Sequence, residues 1–129
     1  MVALPSAHPL ARETAIAPAA LRDERFIVAA GQADAGLARV IWRICEKSGF
    51  TPVVAQTVAQ VAAAVALAEA GLGVALVPES LAAMQVGTIT YRHLLDVDEV
   101  SEIALVATTH HQSRVTRNFV RSTIAVSKP

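Results

Sequence analysis

The feature that most constrains this chain is its alternation of very short apolar runs with stretches of helical spacing. Phe26-Ile27-Val28-Ala29-Ala30 is apolar throughout and is bounded by Arg25 and Gly31. Such a run reads as a strand buried on both faces, as in parallel sheets. Pro52-Val53-Val54-Ala55 and Val74-Ala75-Leu76-Val77 repeat the signal. Between the first two, Leu37, Val40, Ile41, Ile44 and Cys45 recur at the i, i+3, i+4, i+7, i+8 spacing of one helix face, with Arg39, Arg43, Glu46 and Lys47 on the rest. Asp34 is the expected N-cap of that helix and Gly49 its C′ residue, with Phe50 folding back on the last turn. Thr57-Val58-Ala59-Gln60 fits a capping box, which predicts a second helix over about 58–70, stopped by Gly71-Leu72-Gly73.

The flanks extend the pattern. Val2 to Pro5 reads as a strand, after which Pro5, Pro9 and Pro18 interrupt regular structure and leave only a short helical turn at 19–22. A short helix is expected at 79–84, strands at 88–94 and 102–107, and a last helix at 113–125, with the acidic loop Asp96-Val97-Asp98-Glu99 between the strands. Strands alternating with helices at this spacing predict an α/β sandwich with a mainly parallel sheet flanked by helices.

Composition supports one globular unit. The 129 residues are 53% hydrophobic and 17% charged, which excludes wholesale disorder. A chain of 13.5 kDa can bury about two-thirds of its unfolded surface, enough for a core without staples. Eleven basic residues balance eleven acidic ones, so the overall charge offers nothing to a phosphate backbone. The single Cys45 excludes an internal disulfide and a multi-cysteine zinc site. Met1 to Leu4 is apolar but runs at once into Pro5, His8 and Pro9, unlike a signal sequence, and Val61–Ala68 is far shorter than a bilayer span. The expected location is cytoplasmic, without membrane attachment.

The block Ala68-Glu69-Ala70-Gly71-Leu72-Gly73-Val74-Ala75-Leu76-Val77-Pro78-Glu79-Ser80 resembles the effector-binding domain of LysR-type transcriptional regulators, which share the type 2 periplasmic-binding-protein fold. Ala3-Leu4-Pro5 with His8-Pro9-Leu10-Ala11 resembles that family's crossing between two subdomains. Ser48-Gly49-Phe50-Thr51-Pro52 resembles its end of helix and start of strand, and Ile89-Thr90-Tyr91-Arg92-His93-Leu94 its later crossing strand. Nearly the whole chain, about 2–126, is covered. The resemblance implies that 1–129 is a partial effector-binding domain, with about 5–94 in subdomain II and about 102–126 returning to subdomain I. It also implies that no winged helix-turn-helix precedes Met1, so that DNA is reached only indirectly, through a domain absent here.

Ligands of open α/β sheets sit at the carboxyl ends of strands, where helix N-termini present free N–H groups. Two turns qualify, at 30–34 and 56–58. The resemblance places the effector, expected to be a small organic acid, against residues of these turns: Gly31, Gln32, Ala33 and Val58, with Thr57 beside them. The plainer alternative is that Thr57 and Asp34 only cap helices and Gly31 only makes a turn. No cofactor is implied.

Other features have structural explanations. Gly71 and Gly73 begin a GxGxxG pattern, but position 76 is Leu and the order is helix then strand, the reverse of a dinucleotide site. His110 and His111 are adjacent and would point to opposite faces of a strand, away from a common metal. His8 and His93 have no neighbouring carboxylate motif and read as structural. Cys45 on the apolar stripe is expected to be a buried, inert thiol, and Ser80 lies outside a nucleophile elbow. No catalytic pair emerges, so an enzyme is not expected.

Arg114, Arg117 and Arg121 share one face of the last helix, opposite Val115, Phe119, Val120 and Ile124. That apolar stripe must repack or remain exposed, which predicts a homodimer, including one that exchanges the C-terminal segment. The sequence thus reads as a ligand-sensing module of a transcription regulator. The alternatives are an interaction protein that modulates a full-length regulator, or a remnant without ligand binding.

Overall fold

A computed structural model describes residues 1–31, 35–82, 87–100 and 113–126. The strands are β1 (Val2–Pro5), β2 (Ala15–Ile16), β3 (Arg25–Ala29), β4 (Val53–Val58), β5 (Ala75–Leu76) and β6 (Ile89–Leu94). The helices are α1 (Ala35–Lys47), α2 (Val61–Glu69) and α3 (Arg114–Val126), with 3-10 turns at Pro9–Arg12, Pro18–Leu21 and Glu79–Leu81. The 3-10 turn at 79–81 stands where a short helix was expected. The expected strand at 102–107, together with Asp34, His110 and His111, lies outside the described residues.

Four strands pair in the order β2-β6-β1-β5, and β3 pairs with β4. A parallel bridge between Phe26 and Val74 joins the two groups, with Ile27 N–H donating to the Val74 carbonyl and Val74 N–H to the Arg25 carbonyl, both at 2.8 Å. The layer therefore runs β4-β3-β5-β1-β6-β2. β3 with β4, β2 with β6 and the bridge are parallel; β1 runs antiparallel to both β5 and β6. The sheet is thus mixed and flanked by helices, an α/β architecture.

Phe26, Ile27, Val28 and Ala29 are all buried, so β3 is covered on both faces, and it touches α1 and α2. From α1, Leu37, Ile41, Ile44 and Cys45 enter the core, the stripe expected from their spacing. That helix ends as predicted. Gly49 has φ +77°, its N–H donates to the Glu46 carbonyl at 3.0 Å, and Phe50 N–H reaches back to Cys45 at 3.1 Å. Phe50 then packs on Phe26 with ring centroids 6.2 Å apart.

α2 buries Val61, Ala64, Val65 and Ala68 and leaves its other side exposed, so it is covered on one face only. Its end repeats the same reach-back, from Leu72 N–H to Leu67 and from Gly71 N–H to Ala68. Gly73 has a different role: a β-carbon there would fall 2.3 Å from the Arg25 carbonyl oxygen, so only glycine lets the chain approach β3 closely enough to form the bridge. The Gly-Leu-Gly segment is therefore a helix stop followed by a strand junction.

Two loops are tied down by long side chains. Arg92 donates to the Ala11 carbonyl through Nε (3.1 Å) and Nη2 (2.8 Å), fixing the turn at 9–12 against β6. Glu99 accepts from Arg43 Nη1 at 2.8 Å and Lys47 Nζ at 2.6 Å, fastening the acidic loop to α1. No helix among the described residues is long and apolar enough to cross a membrane.

Candidate functional site

β3, β4, β5 and β6 all run in one direction, opposite to β1, so their carboxyl ends lie at one edge of the layer. The expected turns meet there. Ala29 stands opposite Val58, and Ala30 N–H donates to the Val58 carbonyl at 2.9 Å. One residue further on, a β-carbon built on Gly31 would lie 2.1 Å from the Ala59 carbonyl oxygen. The two turns are in backbone contact, and only glycine fits at position 31.

Gly31 and Val58 are both half-buried at this junction. Gln32 and Ala33 lie outside the described residues. Thr57 corrects the sequence reading: it is an exposed strand residue paired with Val28, not a helix cap. β4 continues to Val58, and the residue that enters α2 is Gln60, with φ −134° and ψ 145° and no side-chain capping hydrogen bond. β4 keeps its pairing with β3 through Thr57 and Val58, so the Thr-x-x-Gln spacing has no helix start to cap. Ala63 and Ala64 N–H both turn to the Gln60 carbonyl, at 3.1 and 3.3 Å.

The same edge holds a groove the sequence reading missed. About 340 Å³ in volume, it is walled by Leu37, Val40 and Ile41 of α1 and by Val77, Leu94 and Val97, with Glu79, Ser80 and His93 contributing polar atoms. The available signal was the strand-end rule, applied to β3 and β4 but not to β5 and β6.

His8 and Cys45 lie away from this edge and are engaged by the fold. His8 Nδ1 accepts from Leu10 N–H at 3.2 Å, which leaves Nε2 facing Glu24 Oε1 at 3.3 Å. His8 therefore does have a carboxylate partner, one supplied by the fold from sixteen positions away rather than by a local motif. Burial pushes the Cys45 thiol up to about 11, which makes it a poor nucleophile. Among the described residues no three His, Cys, Asp or Glu side chains are placed to hold a metal.

Residues 1–127 match the family described as LysR substrate binding domain. The chain belongs to the LysR substrate-binding-domain family. It is 33% identical over 120 residues to the HTH-type transcriptional regulator YnfL of Escherichia coli K12, covering 92% of this chain and 40% of that protein. It is 28% identical to the regulator BudR of Raoultella terrigena, covering 93% and 41% respectively. The chain thus spans about two-fifths of the length of these curated relatives. Among solved structures, the effector-binding domain of QuiR in complex with shikimate superposes with a TM-score of 0.80 at 20% identity, over 97% of this chain and 59% of that one. The BenM effector-binding domain with its effector benzoate gives 0.73 at 23% identity, over 100% and 62%. At these identities the superpositions establish the fold, a LysR effector-binding domain of periplasmic-binding-protein type.

Proposed function

We propose that this chain is the ligand-sensing part of a LysR-type transcription regulator, that it has no enzymatic activity, and that its effector is a small organic anion. The observation that carries the reading is the contact of Gly31 with Ala59, which sets two strand ends and the uncapped start of α2 side by side. A helix N-terminus at that place suits a carboxylate, because the helix dipole attracts negative charge. The residues assigned to the effector are those expected from the sequence: Gly31, Gln32, Ala33, Thr57 and Val58. The structural relatives supply the class of ligand: QuiR is seen with shikimate and BenM with benzoate.

On this reading about 5–94 form one lobe and about 102–126 return to the other, with the effector held between the two. Ligand binding favours one arrangement of the lobes, and the differential affinity for the two arrangements sets how strongly DNA-binding heads respond. DNA is contacted only through such a head, in a cytoplasmic regulator.

The test is a thermal-shift and calorimetric titration with benzoate, shikimate and their uncharged amides. At least one carboxylate is expected to raise Tm in a concentration-dependent way, its amide is not, and Gly31→Val is expected to remove the shift. If no carboxylate in the millimolar range moves Tm, the reading fails.

A further inference from the structure

We infer that residues 95–100 form a strap with two registers on α1, one helical turn apart, and that the effector selects between them. The two registers follow from α1 and the strap alone; the effector's part rests on the proposed function.

The strap runs along the helix against its direction. Leu95 N–H donates to the Ile16 carbonyl at 2.9 Å, which fixes the near end. Val97 shares a groove with Ile44 and Ser48, by the last turn of α1. Val100 shares another, of about 350 Å³, with Gly36 and Val40, by the first turn. Glu99 holds the strap in place: its Oε1 accepts from Lys47 Nζ at 2.6 Å and its Oε2 from Arg43 Nη1 at 2.8 Å. The carboxylate bridges two side chains one turn apart, so it sets the strap's position along the helix as well as its attachment. Its side chain is only 10% exposed, against 50% for Arg43 and 69% for Lys47, which makes Glu99 the inward member of the clamp.

α1 repeats the same grip one turn nearer its start. Arg39, Arg43 and Lys47 are spaced four apart and share one face, and Glu99 uses only the last two. Arg39 is exposed, has no ion pair among the described residues, and lines the same groove as Val100. A shift of about 5.4 Å puts Glu99 between Arg39 and Arg43. The apolar row matches, because Val40 stands one turn before Ile44 and gives Val97 an equivalent contact. Ahead of Val100 the way is open, since a β-carbon on Gly36 would meet nothing within 4 Å. The slack lies at Asp96, whose φ of +54° bends the chain; extending that residue lengthens the strap while Leu95 stays bonded to Ile16.

Two nearly equivalent grips make a bistable element, which a ligand shifts by its differential affinity for the two states. The second register carries Val100 toward the first turn of α1, and that helix begins four residues after Gly31. On the proposed function the chain beyond Val100 returns to the other lobe. The second register therefore draws that lobe toward the strand-end edge, and an effector held between the lobes selects it. Arg39 and Lys47 are the positioning residues of the two registers, and both act through Glu99.

Neutral substitutions test the idea, first in the ligand-free chain by urea titration, with circular dichroism to check that each variant keeps its helix content. Glu99→Gln and Lys47→Gln should couple in a double-mutant cycle by about threefold in the unfolding equilibrium constant. Coupling of Glu99→Gln with Arg39→Gln should be weaker in the parent and should rise to about threefold in a Lys47→Gln background, where Glu99 moves to the other grip. A coupling in that background no larger than in the parent overturns the two registers. Calorimetric titration with benzoate and shikimate forms the second arm. A carboxylate that binds should do so about threefold more tightly to Lys47→Gln and about threefold more weakly to Arg39→Gln, and both differences should vanish when Glu99→Gln is added. Equal affinities in the two variants, or differences that survive Glu99→Gln, overturn the effector's part. If neither carboxylate binds, it is the proposed function that fails, and the first arm still upholds or overturns the registers.

Discussion

The α-carbon of Gly31 lies against the carbonyl of Ala59 so closely that a β-carbon would come within 2.1 Å of its oxygen. This one contact locks the end of β3 to the entry of α2. Gly31→Ala must push the two turns apart, at a cost of about 1–3 kcal/mol, since a backbone oxygen cannot rotate away as a side chain can. Urea unfolding should show the loss. If the proposed site is correct, the carboxylate-induced shift should weaken further than the stability loss explains.

Phe26 joins three elements: it pairs with Val54, bridges to Val74 and packs on the Phe50 ring. It is fully buried. Phe26→Ala is expected to cost about 3–5 kcal/mol, the range for emptying a large core site. Chemical denaturation measures it, and a cost under about 1 kcal/mol would show that the neighbours collapse into the space.

Cys45 should report on unfolding. Its folded thiol ionises near 11 against an ordinary 9.0, because burial disfavours the thiolate. The stabilisation this represents is complete below pH 9.0 and is lost as pH rises toward about 11. Alkylation at pH 8 should therefore be slow in the native chain and should accelerate in parallel with denaturant-induced unfolding. Rapid modification without denaturant would contradict the burial.

The Glu99 clamp should fail in acid. Hydrogen bonds from Lys47, then Arg43, hold this carboxyl below its ordinary 4.5. A lowered carboxyl favours the fold above the unfolded value, and that contribution disappears as pH falls through the folded one. Glu99→Gln should therefore loosen the loop at 95–100 near neutrality, seen as faster amide exchange there. The gap between variant and parent should close only well below pH 4.5, once the held-down parent carboxyl is itself protonated.

Much of the fold was legible because its signals are local. The α1 stripe, the glycine after it and the returning Phe50 lie within fourteen residues of one another, and the spacing alone puts them in register. Thr57 shows where locality ends. A Thr three residues before a Gln matches a helix start, yet β4 stays paired with β3 through Val58, so the strand runs on past it. Pairs such as His8 with Glu24 and Glu99 with Arg43 were invisible for the same reason, since topology rather than spacing brings them together. The two turns at the site could be named from the sequence because strand ends are a general place for ligands. The groove beside them depends on how β5 and β6 align, which the antiparallel insertion of β1 between them sets.

That insertion also sets an order of assembly. β1 precedes β3, yet both its neighbours come much later in the sequence: Val2 pairs with Leu76 on one side and Arg92 on the other. The β3–α1–β4–α2 unit can form while the ribosome is still adding residues, but the middle of the sheet must wait for β6. Until then Val2, Ala3 and Leu4, buried in the finished protein, have neither pairing partner, and an apolar segment left waiting in this way is a point where aggregation competes with folding.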